Sequence, residues 1–277
     1  MSAHLHLTFD AHTHLHLDQT EEGRRASDAL LSQLKGAALM STEPPDWARA
    51  AQLAQRHPHV RCLFGVHPWF AHSYADQLSW LDQLRDHLRE TPGSAIGEIG
   101  LDKQWRPPGL GVVQYEAQLK VFKAQLNLAA ELALPVSIHC VRAQGDLQAI
   151  LSAAPRLPPT LYLHAFGGRR GTVEQLVKAK GYGGRLYFGF AACVNLRSPK
   201  GREAISAVPP DRLVLETDRS SAKVEGRLES ELTQMLHIYA ELQGWRGGVE
   251  EAAQRTSENA QRLYAPADRL RGDLDQG

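Results

Sequence analysis

The feature that most constrains this chain is a rhythm. Short strand-like runs at residues 5–10, 37–41, 60–66, 94–99, 136–139, 161–164, 186–190 and 213–216 alternate with longer stretches of helical periodicity. The helical stretches lie at 26–34, 45–56, 78–89, 113–132, 146–153, 172–180 and 202–207, and two more, 228–242 and 249–263, follow the last strand. Such alternation implies parallel pairing through crossover helices. Eight such units close into a barrel more readily than they extend an open sheet, and no Gly-rich dinucleotide turn follows the first run. At 277 residues the chain matches one barrel, for which about 250 residues is typical. The expected fold is α/β, a (β/α)8 TIM barrel, in a single domain over residues 1–264. The charged, apolar-poor end, 265–277, is expected to be a flexible tail.

Charge and cysteines narrow the function. Lys plus Arg and Asp plus Glu both total 31, which argues against a protein that coats nucleic acid through bulk charge. A pocket that grips a short stretch of phosphate stays open. Cys62, Cys140 and Cys193 are far apart and form no CxxC pair, so a reducing cytoplasm is the natural location. No basic segment precedes an apolar run at the N-terminus and no stretch approaches roughly 18 apolar residues, so neither a signal peptide nor contact with a membrane is expected.

The chemistry sits at the strand ends, where barrels carry their sites. The first run leads into Asp10-Ala11-His12-Thr13-His14. Residues two apart on a strand face the same way, so His12 and His14 can share one ion. His4, His6 and His16 share that parity, which keeps a plain alternating strand in play; His16, past the strand end, reads as a bystander. The fourth run ends Gly97-Glu98-Ile99-Gly100-Leu101-Asp102. A carboxylate in an apolar barrel strand is costly without a cation, and its two oxygens make Glu98 the natural ligand shared by two ions; a salt bridge to a residue such as Lys103 is the alternative. The fifth and sixth runs end in His139 and His164, and the eighth leads to Glu216-Thr217-Asp218. Each is a weak signal alone, and their joint placement is strong. His67, in Gly65-Val66-His67-Pro68-Trp69, is a candidate contact to substrate or leaving group. Trp69 can stack on a ring or simply pack. Arg142 and Arg169, with Arg170 and Arg197, lie on later loops and could hold phosphates. Cys140 directly follows His139 and is expected to face the other way, so it and Cys193 are left out of the site.

The ordered set Asp-x-His-x-His at 10–14, Gly-Val-His-Pro at 65–68, Gly-Glu-Ile-Gly-Leu-Asp at 97–102, His139, His164 and Glu-Thr-Asp at 216–218 resembles the TatD-like metal-dependent hydrolases of the amidohydrolase group. Asn259 with Arg262-Leu263-Tyr264 resembles that family's C-terminal helix motif. The resemblance implies that His12, His14 and Asp218 hold one ion, His139 and His164 the other, and Glu98 both, with His67 near the substrate. Known members are magnesium-, manganese- or zinc-dependent deoxyribonucleases, and some relatives remove D-amino acids from transfer RNA. Three positions depart from the pattern. Val141 stands where the family has arginine, Arg219-Ser220-Ser221 follow Asp218, and Phe190-Ala191-Ala192-Cys193 end the seventh strand. The Gly-Val-His-Pro-Trp-Phe stretch at 65–70, Gly-Leu-Asp-Lys at 100–103 and Cys-Val-Arg-Ala-Gln-Gly at 140–145 are similar to a divergent branch also seen in fungi.

The expected activity is a phosphodiesterase or deoxyribonuclease of 3'-5' exonuclease type. It would use two divalent ions (Zn, Mg or Mn) and a bridging hydroxide, with Asp218, Glu98 and His67 as catalytic groups. Its partner would be a short single-stranded nucleic-acid end or another phosphoester or ester, and a monomer is compatible with that role. An ester or amide hydrolase, such as a D-aminoacyl-tRNA deacylase, is the alternative, because the same nucleophile attacks carbon. A non-catalytic barrel is a third reading, disfavoured by the full set of ligand types.

Overall fold

The computed structural model describes residues 4–223 and 227–274. Its strands are β1 (Phe9–Thr13), β2 (Gly36–Met40), β3 (Val60–Phe64), β4 (Ala95–Asp102), β5 (Val136–Val141), β6 (Leu161–Leu163), β7 (Leu186–Phe190) and β8 (Leu213–Leu215). They form one sheet in chain order, with neighbouring strands parallel from β1–β2 to β7–β8. The helices are α1 (Glu21–Leu31), α2 (Pro44–Arg56), α3 (Ala71–Tyr74), α4 (Trp80–Glu90), α5 (Tyr115–Glu131), α6 (Gln144–Ala153), α7 (Arg170–Val177), α8 (Ala192–Asn195), α9 (Pro199–Ala207), α10 (Arg227–Gln243) and α11 (Gly248–Leu274). Strand residues are buried almost throughout, as expected where helices cover a parallel sheet from outside and side chains fill the inside. Among the described residues no helix is long and apolar enough to cross a membrane.

The first strand begins later than its sequence pattern suggests. Residues Leu5–Leu7 form a 3-10 turn, closed by Thr8 N–H on the Leu5 carbonyl (2.8 Å) and by Thr8 Oγ1 on the His4 carbonyl (3.0 Å). Alternating His and Leu imitate a period of two there, but the local bonds of Thr8 turn the chain instead. His4 is buried against Thr233 Oγ1 at 2.9 Å, so the shared parity of the N-terminal histidines has no structural meaning before Phe9. β4 also runs three residues beyond its expected end at 99 and carries Asp102 to the rim.

β1 and β8 meet at a seam. Asp218 N–H donates to the His12 carbonyl (3.0 Å) and His14 N–H to the Arg219 carbonyl (2.8 Å). The buried Asp10 carboxylate accepts from the Thr217 N–H (3.1 Å), the Thr217 hydroxyl (2.7 Å) and the His12 N–H (3.2 Å). Burial nonetheless pushes the Asp10 carboxyl up to about 7. The opposite end is sealed by α11. Its Tyr264 hydroxyl reaches the Ala11 carbonyl (2.8 Å), and its Asn259 amide reaches the carbonyls of Leu213 (2.7 Å) and Pro210 (2.8 Å). The segment expected to be a tail from 265 carries the backbone of α11 to Leu274, and residues 275–277 lie outside the described residues.

Candidate metal centre

The side chains singled out at the strand ends meet in one cluster. Glu98, 1% exposed, stands in the middle of it. Its Oε2 lies 3.2 Å from His12 Nε2 and 3.1 Å from His14 Nε2, both from the β1 end. Its Oε1 lies 2.9 Å from His139 Nδ1 on β5, 2.6 Å from His164 Nε2 after β6, and 3.1 Å from His67 Nε2 after β3. Asp218 Oδ1 approaches His12 and His14 at 3.7 and 3.6 Å. His12 stacks on His164 with ring centres 3.8 Å apart and an interplanar angle of 7°.

Local backbone geometry makes this convergence possible. At Gly100, φ is +151° and an added Cβ would meet the His139 carbonyl oxygen at 1.9 Å, so only glycine lets β4 lie this close to β5. Ala165, immediately after His164, and Asp218 itself adopt left-handed φ values of 40° and 52°. Such conformations are held against local strain and cluster at functional sites.

The outer hydrogen bonds assign the imidazole protons. His14 Nδ1 faces the Met40 carbonyl at 2.6 Å, and His139 Nε2 faces Asp102 Oδ2 at 3.2 Å. A carbonyl or carboxylate only accepts, so those nitrogens carry protons and the opposite ones, His14 Nε2 and His139 Nδ1, turn lone pairs toward carboxylates. Lone pairs cannot face carboxylates at about 3 Å without a cation between them, either a proton or a metal ion. The donor set therefore fits a divalent ion. Without an ion, protons would fill that place. Against the cost of burial, bonds to Asp218 and Glu98 raise His14 to about 10, and bonds to Asp102 and Glu98 raise His139 to about 9. Burial lowers His12 to about 3, helped by the adjacent His164. Burial opposes ionisation of Glu98 and Asp218, yet the surrounding histidines hold Glu98 well below the carboxylate range and Asp218 at about 2.

His67 differs from the other rings. Its Nδ1 accepts the Trp69 backbone N–H at 3.2 Å, so its Nε2 carries the proton and points an N–H at Glu98. It is built as a donor at the edge of the cluster, pushed by burial down to about 4 and therefore uncharged at neutral pH.

The cluster floors a cavity of about 490 Å³ at the barrel mouth, lined by His14, His67, Glu98, His139, His164 and Asp218 and walled by Leu17, Thr42, Trp69, Cys140, Val141, Ala165, Val194 and Ser220. His12 lies beneath it, fully buried. Trp69 is at the wall. Arg142 and Arg169 are exposed and neither lines the cavity, and among the described residues its lining contains no lysine or arginine. Arg170 pairs with Glu174, and the nearby Arg219 guanidinium is held by Glu231 at 3.0 Å. Cys140 does line the cavity, because β5 continues along the rim to Val141 before the chain turns at Arg142. His16 is buried 3.7 Å from Asp46, away from the cluster.

Four neighbours escaped the reading of the sequence. Asp102 holds His139; Ser137 Oγ sits 3.1 Å from His12 Nδ1; Glu216 accepts from Tyr162 and from Ala165 N–H (2.7 Å) beneath His164. Burial pushes Glu216 up to about 8. Asp102 had the same signal as Asp218, a carboxylate at a strand end.

A parallel eight-stranded barrel whose mouth gathers imidazole lone pairs around a shared carboxylate is built for a metal-dependent hydrolase. The chain belongs to the TatD related DNase family, whose model matches residues 9–265. It is 32% identical over 260 residues to a protein named 3'-5' ssDNA/RNA exonuclease TatD from Erwinia billingiae, covering 89% of this chain and 93% of that one. It is 25% identical to the Cut9-interacting protein scn1 of Schizosaccharomyces pombe, covering 91% and 96%. Among solved structures, the TatD homolog YjjV of Escherichia coli superposes with a TM-score of 0.74 at 25% identity, covering 94% of this chain and 99% of that one.

Proposed function

We propose that the centre holds two divalent ions and hydrolyses phosphodiesters, removing nucleotides from the 3' end of single-stranded DNA. The observation that carries the two-ion reading is the division of Glu98. One of its oxygens faces His12 and His14, and the other faces His139 and His164. In this reading His12, His14 and Asp218 hold one ion, His139 and His164 the other, and Glu98 both. Zinc, manganese and magnesium are the candidates. Such ions supply a nucleophile at neutral pH, by lowering the pKa of water from 15.7 to about 7, and polarise the attacked oxygen.

The protein's own groups do the rest. Asp218 is ionised at neutral pH and faces the cavity, so it orients the attacking water and accepts its proton. His67 offers its Nε2–H to the scissile group. Glu216, kept neutral by burial, adds no charge beneath His164. With Arg142 and Arg169 outside the lining, phosphate positioning falls to the ions and His67, and base recognition falls to Trp69. The relatives named as 3'-5' ssDNA/RNA exonucleases support the nuclease reading. The unpaired cysteines suit a cytoplasmic protein.

The absence of basic side chains from the described lining favours one second reading, hydrolysis of a less charged carboxylic ester or of D-aminoacyl-tRNA. A single panel separates the two. Protein loaded with magnesium, manganese or zinc is given 3'-labelled and 5'-labelled single-stranded DNA, RNA, D-aminoacyl-tRNA and simple esters. Stepwise shortening of 5'-labelled DNA is expected. Ester or aminoacyl cleavage with intact DNA overturns the nuclease reading.

A further inference from the structure

Trp69 and His139 are bonded to the same atom. Asp102 Oδ2 accepts the Trp69 indole N–H at 2.9 Å and the His139 Nε2–H at 3.2 Å. The carboxylate has no freedom to choose between them. Its Oδ1 is fixed by the backbone N–H groups of Gln104 (2.7 Å) and Trp105 (3.0 Å), and its main chain is bracketed by the Gln118 amide, at 2.7 Å on the N–H and 3.0 Å on the carbonyl. The indole is fixed in turn. Trp69 stacks on Trp105 with ring centres 4.2 Å apart at 17°, while 36% of its own surface stays exposed beside the cavity. Its ring centre is 4.9 Å from that of His67 and 6.3 Å from that of His139.

We infer that Asp102 is a positioning residue that locks a stacking surface and a metal-facing histidine into one unit. This inference rests on the metal-centre reading above. A planar aromatic ring on the substrate, a nucleobase in the leading case, seats on Trp69. The same carboxylate keeps the proton of His139 on Nε2 and its Nδ1 lone pair toward Glu98. Carboxylate support of this kind fixes the tautomer and orientation of a metal-binding imidazole. In Asp102→Asn, one oxygen is committed to the backbone N–H groups, and the amide NH2 meets two further N–H donors. Trp69 then loses its bond, and His139 keeps one only by giving up its Nε2 proton and accepting from the amide, which moves its proton to Nδ1.

The test uses the full chain and zinc as probe. Calorimetric titration of metal-free protein is expected to show zinc affinity at one site falling about 10–100-fold in Asp102→Asn. Zinc is expected to alter an indole emission component that is missing in Trp69→Ala and silent in Asp102→Asn. On single-stranded DNA, Trp69→Ala is expected to raise KM with kcat retained, by roughly 5–150-fold for the loss of one stacked base. Nitrogen-15 spectra of zinc-loaded wild type need no variant, and should show His139 protonated at Nε2. Unchanged zinc affinity in Asp102→Asn, identical zinc-induced emission changes in wild type and Trp69→Ala, or an unprotonated His139 Nε2 overturns the inference while leaving the metal centre standing. A wild type that takes up no divalent ion overturns the metal-centre reading and this inference together.

Discussion

Replacing Glu98 with glutamine is the sharpest perturbation of the centre, because it preserves shape and removes the one group that both ligand sets share. Five ring nitrogens lie within 3.2 Å of its carboxylate. Glutamine returns one oxygen to one side and presents an amide to the other, and it contributes no charge to either. On the two-ion reading, an ion present at a hundred times its Kd adds about 2.7 kcal/mol of stability per site in wild type, or about 5 kcal/mol for two sites. For a chain of this size, at about 2–4 °C per kcal/mol, that raises Tm by roughly 10–20 °C. Glu98→Gln is expected to lose most of this gain, leaving a rise of no more than about 3 °C at the same zinc concentration. Differential scanning calorimetry with zinc and manganese, each protein compared with its own metal-free form, reads the effect directly. Comparison within each variant separates metal binding from any change in intrinsic stability. A Glu98→Gln protein that keeps the wild-type thermal shift refutes the assignment of Glu98 as shared ligand.

Other outcomes follow from the same geometry. Asp218→Ala is expected to lower kcat at least about a hundredfold, the scale of a positioned general base, with an unchanged circular dichroism spectrum; a variant at full rate removes Asp218 from catalysis. Thr217→Val strands the buried Asp10 carboxylate without its 2.7 Å partner and is expected to cost about 1–3 kcal/mol in chemical denaturation; a neutral result means the seam does not depend on that bond. Metal uptake should release protons, because His14 and His139 titrate at about 10 and 9 in the metal-free protein and bind metal only when deprotonated. Apparent affinity therefore rises with pH up to about 9 and levels off near 10, and calorimetry in buffers of different ionisation enthalpy checks it; affinity flat between pH 6.5 and 8.5 contradicts the proton assignment. The sign reverses for the metal-free fold. Both histidines are raised above their ordinary value of 6.5, so the stability they give is complete below that value and is lost as pH climbs through 9 to 10, which a Tm series in chelator should show as a fall.

The barrel could be read from the sequence because parallel strands are buried on both faces and stand out as apolar runs between amphipathic helices. The largest displacement of a strand start, at residue 5 rather than Phe9, arose where His and Leu alternate but Thr8 bonds back to His4. The cluster was legible for a related reason: a histidine or acid in the second half of an apolar barrel strand, or just after it, is carried toward the rim, as His139, His164 and Asp218 are, and Glu98 joins them from the middle of β4. What surrounds them was not legible. Whether Arg142 turns inward depends on its left-handed φ of 54° and the loop beyond, and the support of His139 by Asp102 depends on how far β4 runs. Cys140 at the cavity wall likewise reflects the path of β5 past His139, which alternation alone does not specify.

The seam between β1 and β8 sets when this centre can exist. A ribosome-bound chain that has made six strands already holds Glu98, His139 and His164, which face His12 and His14 in the finished cluster, yet Asp218 has still to be synthesised. Docking of the eighth strand brings the aspartate and the two histidines together through the same backbone bonds that close the ring. On the metal-centre reading proposed above, the ligand set is complete only once the eighth strand has been made, and an ion held across that junction would act as a clasp on the finished ring.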